Sequence, residues 1–254
     1  MADLVHRVKS SALSFDWRSD PWQSGGMPAS SIRARVRAEM IDEIKAVARR
    51  HLASDGADLS LRAVARDMGM VSSAIYRYFP SRDDLLTALI IEAYQALGDA
   101  VEAADAAVDR ADLRGRWHAV CRAARTWALA HPAEYALLYG SPVPGYAAPV
   151  DTVLPAQRPP LTLLGILADG VAAGRITPPD DDLPEPVRAD LAEIAAGLFP
   201  GLPEALLARG MAGWTQLFGL ISFDLFGRLD PVVPHRDAYF DHQTALMADL
   251  VGLP

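Results

Sequence analysis

Between Ser60 and Arg82 the chain sets hydroxyl, guanidinium and phenol side chains at a spacing that suits contact with a polyanion. Ser72, Ser73, Tyr76, Arg77 and Tyr78 are interleaved with Ala74, Ile75 and Phe79, so a short helix here buries one face and turns the polar one outward. Such groups hold phosphate oxygens and read base edges in a major groove. Ser60, Arg62, Ser72, Ser73, Ala74, Tyr76, Arg77, Tyr78 and Arg82 are the candidate DNA-binding residues. Tyr76, Tyr78 and Arg82 suit phosphates; Ser73, Ala74, Arg77 and Arg62 suit base edges.

The elements that must position them can be read locally. Ser60 precedes an apolar-periodic run and can cap a helix whose buried face is Leu61, Val64, Ala65 and Met68. Gly69 follows, where a left-handed residue ends a helix without steric penalty. Met70 and Val71 cross the turn, and Ser72 or Ser73 caps a second helix reaching Phe79, which Pro80 ends. Ser81 caps a third helix, with Asp83 and Asp84 in its positive first turn. Upstream, Val36, Met40, Ile44, Val47 and Ala48 recur at helical spacing from Ile32 to about Ala53. Arg33, Arg35 and Arg37 at its start oppose the helix dipole; a DNA backbone would explain them, and a solvated basic end is the alternative.

Charge divides the chain. Residues 1–82 hold 13 Lys and Arg against 9 Asp and Glu, a net of +4, and the remainder holds 11 against 23, or −12, giving the overall −8. A basic segment on an acidic body suits a phosphate-facing head.

The pattern of Ser60, Val64, Ala65, Gly69, Val71, Ser72, Ile75, Tyr76, Tyr78, Phe79, Ser81, Arg82, Leu85 and Leu86 resembles the TetR family of bacterial transcriptional regulators. Arg82 stands where lysine is usual in that family and keeps the charge. The resemblance implies an all-α fold: an N-terminal three-helix DNA-binding domain with a helix-turn-helix, then a larger helical ligand-binding and dimerisation domain. The corresponding divisions are the helix-turn-helix DNA-binding domain over 32–82 and the effector-binding and dimerisation domain over 83–254, and the lack of any period over 1–31 predicts a disordered arm before them. The resemblance also implies a homodimer on a pseudo-palindromic double-stranded operator, a small-molecule effector and repression.

Beyond residue 82 the pattern reads as helix after helix. The spacing predicts helices over Ser81 to about Asp109 (with a possible break at Gly98), Leu113–Ala130, Ala133–Tyr139, Leu161 to about Gly174, Glu185–Leu198, Pro203–Leu229 and Asp237–Leu250. Residues 140–160 read as a proline-rich loop and TPPDDDLPEP as an acidic linker with solvated Asp180 to Asp182. Segments 131–149 and 213–230 resemble the WHG-type C-terminal domain of some TetR-like regulators, with Trp214 and Gly219 matching and Phe218 where histidine is usual. Trp117, Cys121, Tyr135, Leu138, Tyr139, Trp214 and Phe218 could line a pocket for an apolar or aromatic effector, or could be ordinary core. Leu217, Ile221, Leu225, Tyr239, Leu246 and Leu250 form apolar stripes on the last two helices, a dimer interface in the implied family or an intramolecular hairpin otherwise. Gly213, Gly219 and Ser222 would allow close helix approach.

Catalysis finds no support. The six histidines are scattered, no pair lies at i,i+4 in a helix, and neither a phosphate loop nor a nucleophile motif is present, so no metal, cofactor or enzymatic role is expected. The single cysteine excludes an intrachain disulfide. No apolar stretch reaches the ~20 residues of a membrane span, and no signal-peptide pattern begins the chain, so a cytoplasmic location is expected. The arm, with Trp17, Trp22 and SGGMPASS, shows no sustained period and reads as terminal disorder, with reach into a minor groove as the alternative. The competing reading is a constitutive DNA-binding factor without an effector.

Overall fold

The computed structural model describes residues 32–55 and 59–254, so the expected arm at 1–31 lies outside the described residues. These form ten α-helices and one short 3-10 turn, Val150–Thr152, with no strand among them. The helices are α1 (Ile32–Asp55), α2 (Leu61–Asp67), α3 (Ser72–Ile75), α4 (Arg82–Ala106), α5 (Leu113–Ala130), α6 (Pro132–Tyr139), α7 (Val153–Ala172), α8 (Glu185–Leu198), α9 (Glu204–Leu225) and α10 (Arg236–Leu250). Among the described residues no helix is long and apolar enough to cross a membrane.

The chain divides into two compact units, and the division falls at Ile90 rather than Arg82. Helix α4 spans the division: Leu85, Leu86, Leu89 and Ile90 are buried residues of the first unit, and Ala93, Leu97 and Val101 belong to the core of the second. The first unit comprises the described residues up to Ile90 with 143–148. Its buried side chains include Ile44, Val47, Ala48, Leu52, Leu61, Val64, Ala65, Ile75 and Phe79. Val36, expected on the buried face of α1, is 50% exposed, in a first stretch of the helix whose residues 34–39 are all exposed. The Thr87 and Tyr146 hydroxyls share a hydrogen bond of 2.9 Å, fixing segment 143–148 to this unit.

The second unit packs α5 to α10 and the remainder of α4 around one core, with Trp117, Leu167, Leu206, Leu217 and Ile221 fully buried. Charged pairs tie its helices at the edges. Arg125 on α5 donates to the buried Asp224 on α9 at 2.8 Å and to Asp237 on α10 at 2.7 Å. Arg158 on α7 forks onto Glu102 of α4 at 2.8 and 2.7 Å and reaches Asp99 at 2.6 Å. Gly98 does not break α4; a Cβ there would stand 2.9 Å from the Arg158 guanidinium, so the glycine leaves room for this cross-tie. The proline-rich loop ends sooner than expected, since Pro159 and Pro160 lie inside α7. Two missing N–H bonds are offset there by burial of Leu163, Leu164, Ile166 and Leu167 on the same helix. Asp181 is not simply solvated: Arg209 donates to both its oxygens, at 2.7 and 2.6 Å.

Candidate nucleic-acid interface

The turn between α2 and α3 is built by local chemistry. Ser60 caps α2 and accepts from the Ala63 N–H at 3.5 Å. Gly69 adopts φ +66°, and the Met70 N–H donates to the Ala65 carbonyl at 2.9 Å while the Gly69 N–H donates to Arg66 at 3.0 Å. That bond pair is the Schellman end, which needs a left-handed residue at this position. Met68 is only half-buried, and Leu61, Val64 and Ala65 carry the packing.

Helix α3 differs from expectation at both ends. Val71 occupies the N-cap and no side chain caps the helix, so Ser72 and Ser73 are free of that duty and exposed. Regular helix stops at Ile75, and bonds from Arg77 N–H to Ala74 and from Tyr78 N–H to Ile75, at 3.2 and 2.9 Å, tighten the chain towards Phe79. The Phe79 N–H still donates four residues back, to the Ile75 carbonyl at 3.0 Å, and Pro80 ends the run there. Ser72, Ser73, Tyr76 and Arg77 are exposed on this segment, Ala74 and Tyr78 half-buried, and Ile75 and Phe79 form the inner face. Arg62 is exposed on the first turn of α2.

Two arginines hold this surface from outside. Arg37 on α1 donates to the Arg77 carbonyl at 3.0 Å and places its guanidinium 5.1 Å from the Tyr78 ring centroid. Its expected role on a DNA backbone is therefore joined by an intramolecular one, whose only sequence signal was an arginine opposing its own helix dipole. Arg82, expected on phosphate, donates through Nε to the Leu59 carbonyl at 3.0 Å and is half-buried, so it also closes the segment before α2. Ser81 caps α4: the Asp84 N–H donates to Ser81 Oγ at 3.1 Å and Ser81 donates back to the Asp84 carboxylate at 2.7 Å.

In the second unit the proposed pocket residues divide. Trp117, Cys121 and Tyr135 are fully buried in the core, with the Trp117 indole donating to the Thr244 carbonyl at 3.2 Å. Burial pushes the Cys121 thiol well above its usual range. Gly213 faces Trp117, which stands 3.2 Å from where its Cβ would lie, so that glycine serves packing within one chain. Tyr135, Tyr139, Trp214 and Phe218 do come together: the Phe218 ring lies 4.3 Å from Tyr139, 5.8 Å from Trp214 and 6.4 Å from Tyr135. Leu138 is half-buried against the same core. Tyr94, missed in the sequence, meets Tyr139 edge-on at 6.1 Å; nothing in the local pattern of α4 marks it.

The apolar stripes of α9 and α10 also need correction. Leu217 and Ile221 have no exposed surface and belong to the core, because the stripe from Trp214 to Leu225 faces inward. The outward face of α9 is Met211, Thr215, Gly219 and Phe223, at the same four-residue spacing as the buried stripe and offset from it by half a turn. On α10, Leu246 and Leu250 are exposed and Tyr239 half-buried. A Gln216 to Gln243 bond of 3.4 Å links the two outward faces.

A short exposed helix carrying hydroxyls and an arginine, set by a glycine turn against a capped neighbour, defines a helix-turn-helix DNA-binding protein. Comparison with known proteins agrees in both units. Residues 44–89 match the family described as bacterial regulatory proteins, tetR family, and residues 117–247 match the tetracyclin repressor-like C-terminal domain. The chain is 40% identical over 230 residues to the HTH-type transcriptional regulators Rv1816 of Mycobacterium tuberculosis and Mb1846 of Mycobacterium bovis, covering 87% of this chain and 95% of each relative. The crystal structure of the regulatory protein SCO4313 superposes with a TM-score of 0.68 at 31% identity, covering 85% of this chain and 98% of that one. The chain belongs to the TetR family of bacterial transcriptional regulators. Its relatives are regulators of transcription, not enzymes.

Proposed function

We propose that the chain represses transcription as a homodimer on a pseudo-palindromic DNA operator and is released by a small apolar or aromatic effector. The observation that carries DNA binding is the segment from Ser72 to Tyr78, with Ser72, Ser73, Tyr76 and Arg77 exposed and its main chain braced by Arg37. Ser73, Ala74, Arg77 and Arg62 read bases, and Ser60, Ser72, Tyr76, Tyr78 and Arg82 hold or frame the phosphate contacts. A single recognition helix reads one half-site, so two copies are needed for half-sites ~34 Å apart. The outward face of α9 and α10 suits that pairing: Phe223 is 56% and Leu246 46% exposed, and Gly219 has nothing within 4 Å of where a Cβ would be. Tyr239, Leu250 and the half-buried Leu225 flank it. The effector would enter the second unit beside Tyr139, Trp214 and Phe218, and the protein would work in the cytoplasm, where its DNA is.

Selection of binding sites from random duplex DNA tests this reading. Inverted half-sites one helical turn apart are expected, and a single unrepeated half-site would overturn the dimeric operator. The second reading, a constitutive factor, draws on the complete burial of Trp117, Cys121 and Tyr135, and a library of aromatic compounds that never releases the operator would favour it.

A further inference from the structure

Tyr139 Oη and Trp214 Nε1 are buried and have no hydrogen-bond partner. A buried donor without an acceptor is costly, because it has given up water for nothing. Both rings meet the same neighbour, Phe218, whose side chain has no acceptor to offer. The other nearby phenol is already satisfied: Tyr135 donates to the Phe218 carbonyl at 2.8 Å and lies 2.9 Å from Ser222 Oγ. An indole N–H can only donate. Burial also raises the Tyr139 hydroxyl far above the usual phenol range, so it keeps its proton at any physiological pH. The rings that contact Tyr139 are Tyr94, Tyr135 and Phe218, none of which supplies a charge to pair with an ionic guest.

We propose that the effector is a neutral, ring-bearing molecule with an acceptor oxygen (of the aryl ketone, quinone or lactone class) that takes the Trp214 N–H and the Tyr139 O–H. This rests on the reading that the second unit receives an effector. The Phe218 and Tyr94 rings would pack on the ring system, and the two donors would select oxygen-bearing rings over plain hydrocarbons. Neither an anion nor a cation would find a counter-charge among these aromatic residues.

The matched probes 1-tetralone and tetralin share a bicyclic frame and differ in one ketone oxygen. Titration of the full-length protein by thermal shift should give tighter binding of 1-tetralone than of tetralin. Tyr139→Phe and Trp214→Phe should each weaken 1-tetralone about 3- to 10-fold, the worth of one hydrogen bond, and leave tetralin unchanged. Tyr139→Phe should also melt no lower than the parent without ligand, since it removes an unsatisfied group; that variant keeps the test alive if Trp214→Phe folds poorly. In the parent protein the Trp214 indole N–H resonance should move downfield with 1-tetralone only. Equal affinity for the two probes would overturn the acceptor inference and leave the pocket standing. Failure of both probes to bind would remove the pocket as well, with DNA binding unaffected.

Discussion

Arg37 and Tyr78 meet across the first unit, with the guanidinium 5.1 Å from the ring centroid while the same side chain donates to the Arg77 carbonyl at 3.0 Å. The recognition segment is thus held by a helix other than its own. A four-residue helix has too few internal bonds to hold itself. Arg37→Ala should lower the stability of this unit by about 0.5–1 kcal/mol, the worth of an exposed cation–π contact. It should also weaken operator and random duplexes alike, because the whole segment loosens. Arg37→Lys keeps the charge but not the fork and should rescue only part. Urea denaturation and fluorescence anisotropy on both duplexes check this, and full operator affinity in Arg37→Ala would show the brace to be dispensable.

Which residues of α9 face outward can be tested by charge. Phe223→Asp and Leu246→Asp place a carboxylate on exposed positions, so the fold should survive and the dimer should dissociate in light scattering. Leu217→Asp and Ile221→Asp should instead lose the fold, since each buries an unpaired charge in the core. A folded, dimeric Phe223→Asp would place the interface elsewhere.

Local chemistry was legible, and competition between packing and local rules was not. Gly69, Ser60 and Ser81 act as read because a left-handed turn and a hydroxyl cap depend on near neighbours only. Helix α3 is shorter than its spacing predicts: past Ile75 the Arg77 and Tyr78 N–H groups bond three residues back and the Phe79 N–H four back, a mixture of turns that a window of sequence does not show. Helix α7 contains Pro159 and Pro160 because the burial of its leucines outweighs the lost bonds, a balance that is invisible in a window of sequence. Helix α9 carries apolar side chains on opposite faces, so periodicity alone could not decide whether Leu217 or Phe223 looks outward. The aromatic cluster could be partly named because its rings are large; Tyr94 was missed because it joins from a helix distant in sequence.

Cys121 should behave as core. Its thiol is fully buried and burial raises its pKa, so a thiol reagent such as DTNB should react only on unfolding. Cys121→Phe overfills a packed site and should cost about 1–3 kcal/mol of stability. Rapid native labelling would show that this part of the core opens.

His118 should make the second unit acid-sensitive. Burial, and then the positive charges of Arg114 and Arg122, lower its pKa below the ordinary 6.5, against the opposing pull of Asp241 and Asp112. Thr244 donates to the Asp241 carbonyl at 3.0 Å, so its oxygen is placed to accept from His118 Nδ1 at 3.1 Å. The unfolded chain then binds the proton more readily than the folded one. Stability is full above the ordinary pKa and falls as pH drops from about 6.5 towards the lowered value. His118→Gln should flatten that part of the profile of urea midpoints between pH 7.5 and pH 5. An unchanged slope would assign the sensitivity to other groups.

Sequence reading by the exposed face of α3 is tested most directly by Arg77→Ala on a selected operator and on a scrambled duplex of equal length, titrated across salt. Each phosphate contact contributes about 0.9 to the slope of log K against log salt, so a base reader should leave that slope unchanged. The predicted result is a loss of ~1–3 kcal/mol on the operator, little on the scrambled duplex and parallel salt dependences. Equal losses on both duplexes, with a shallower salt slope, would contradict it and make Arg77 a phosphate contact.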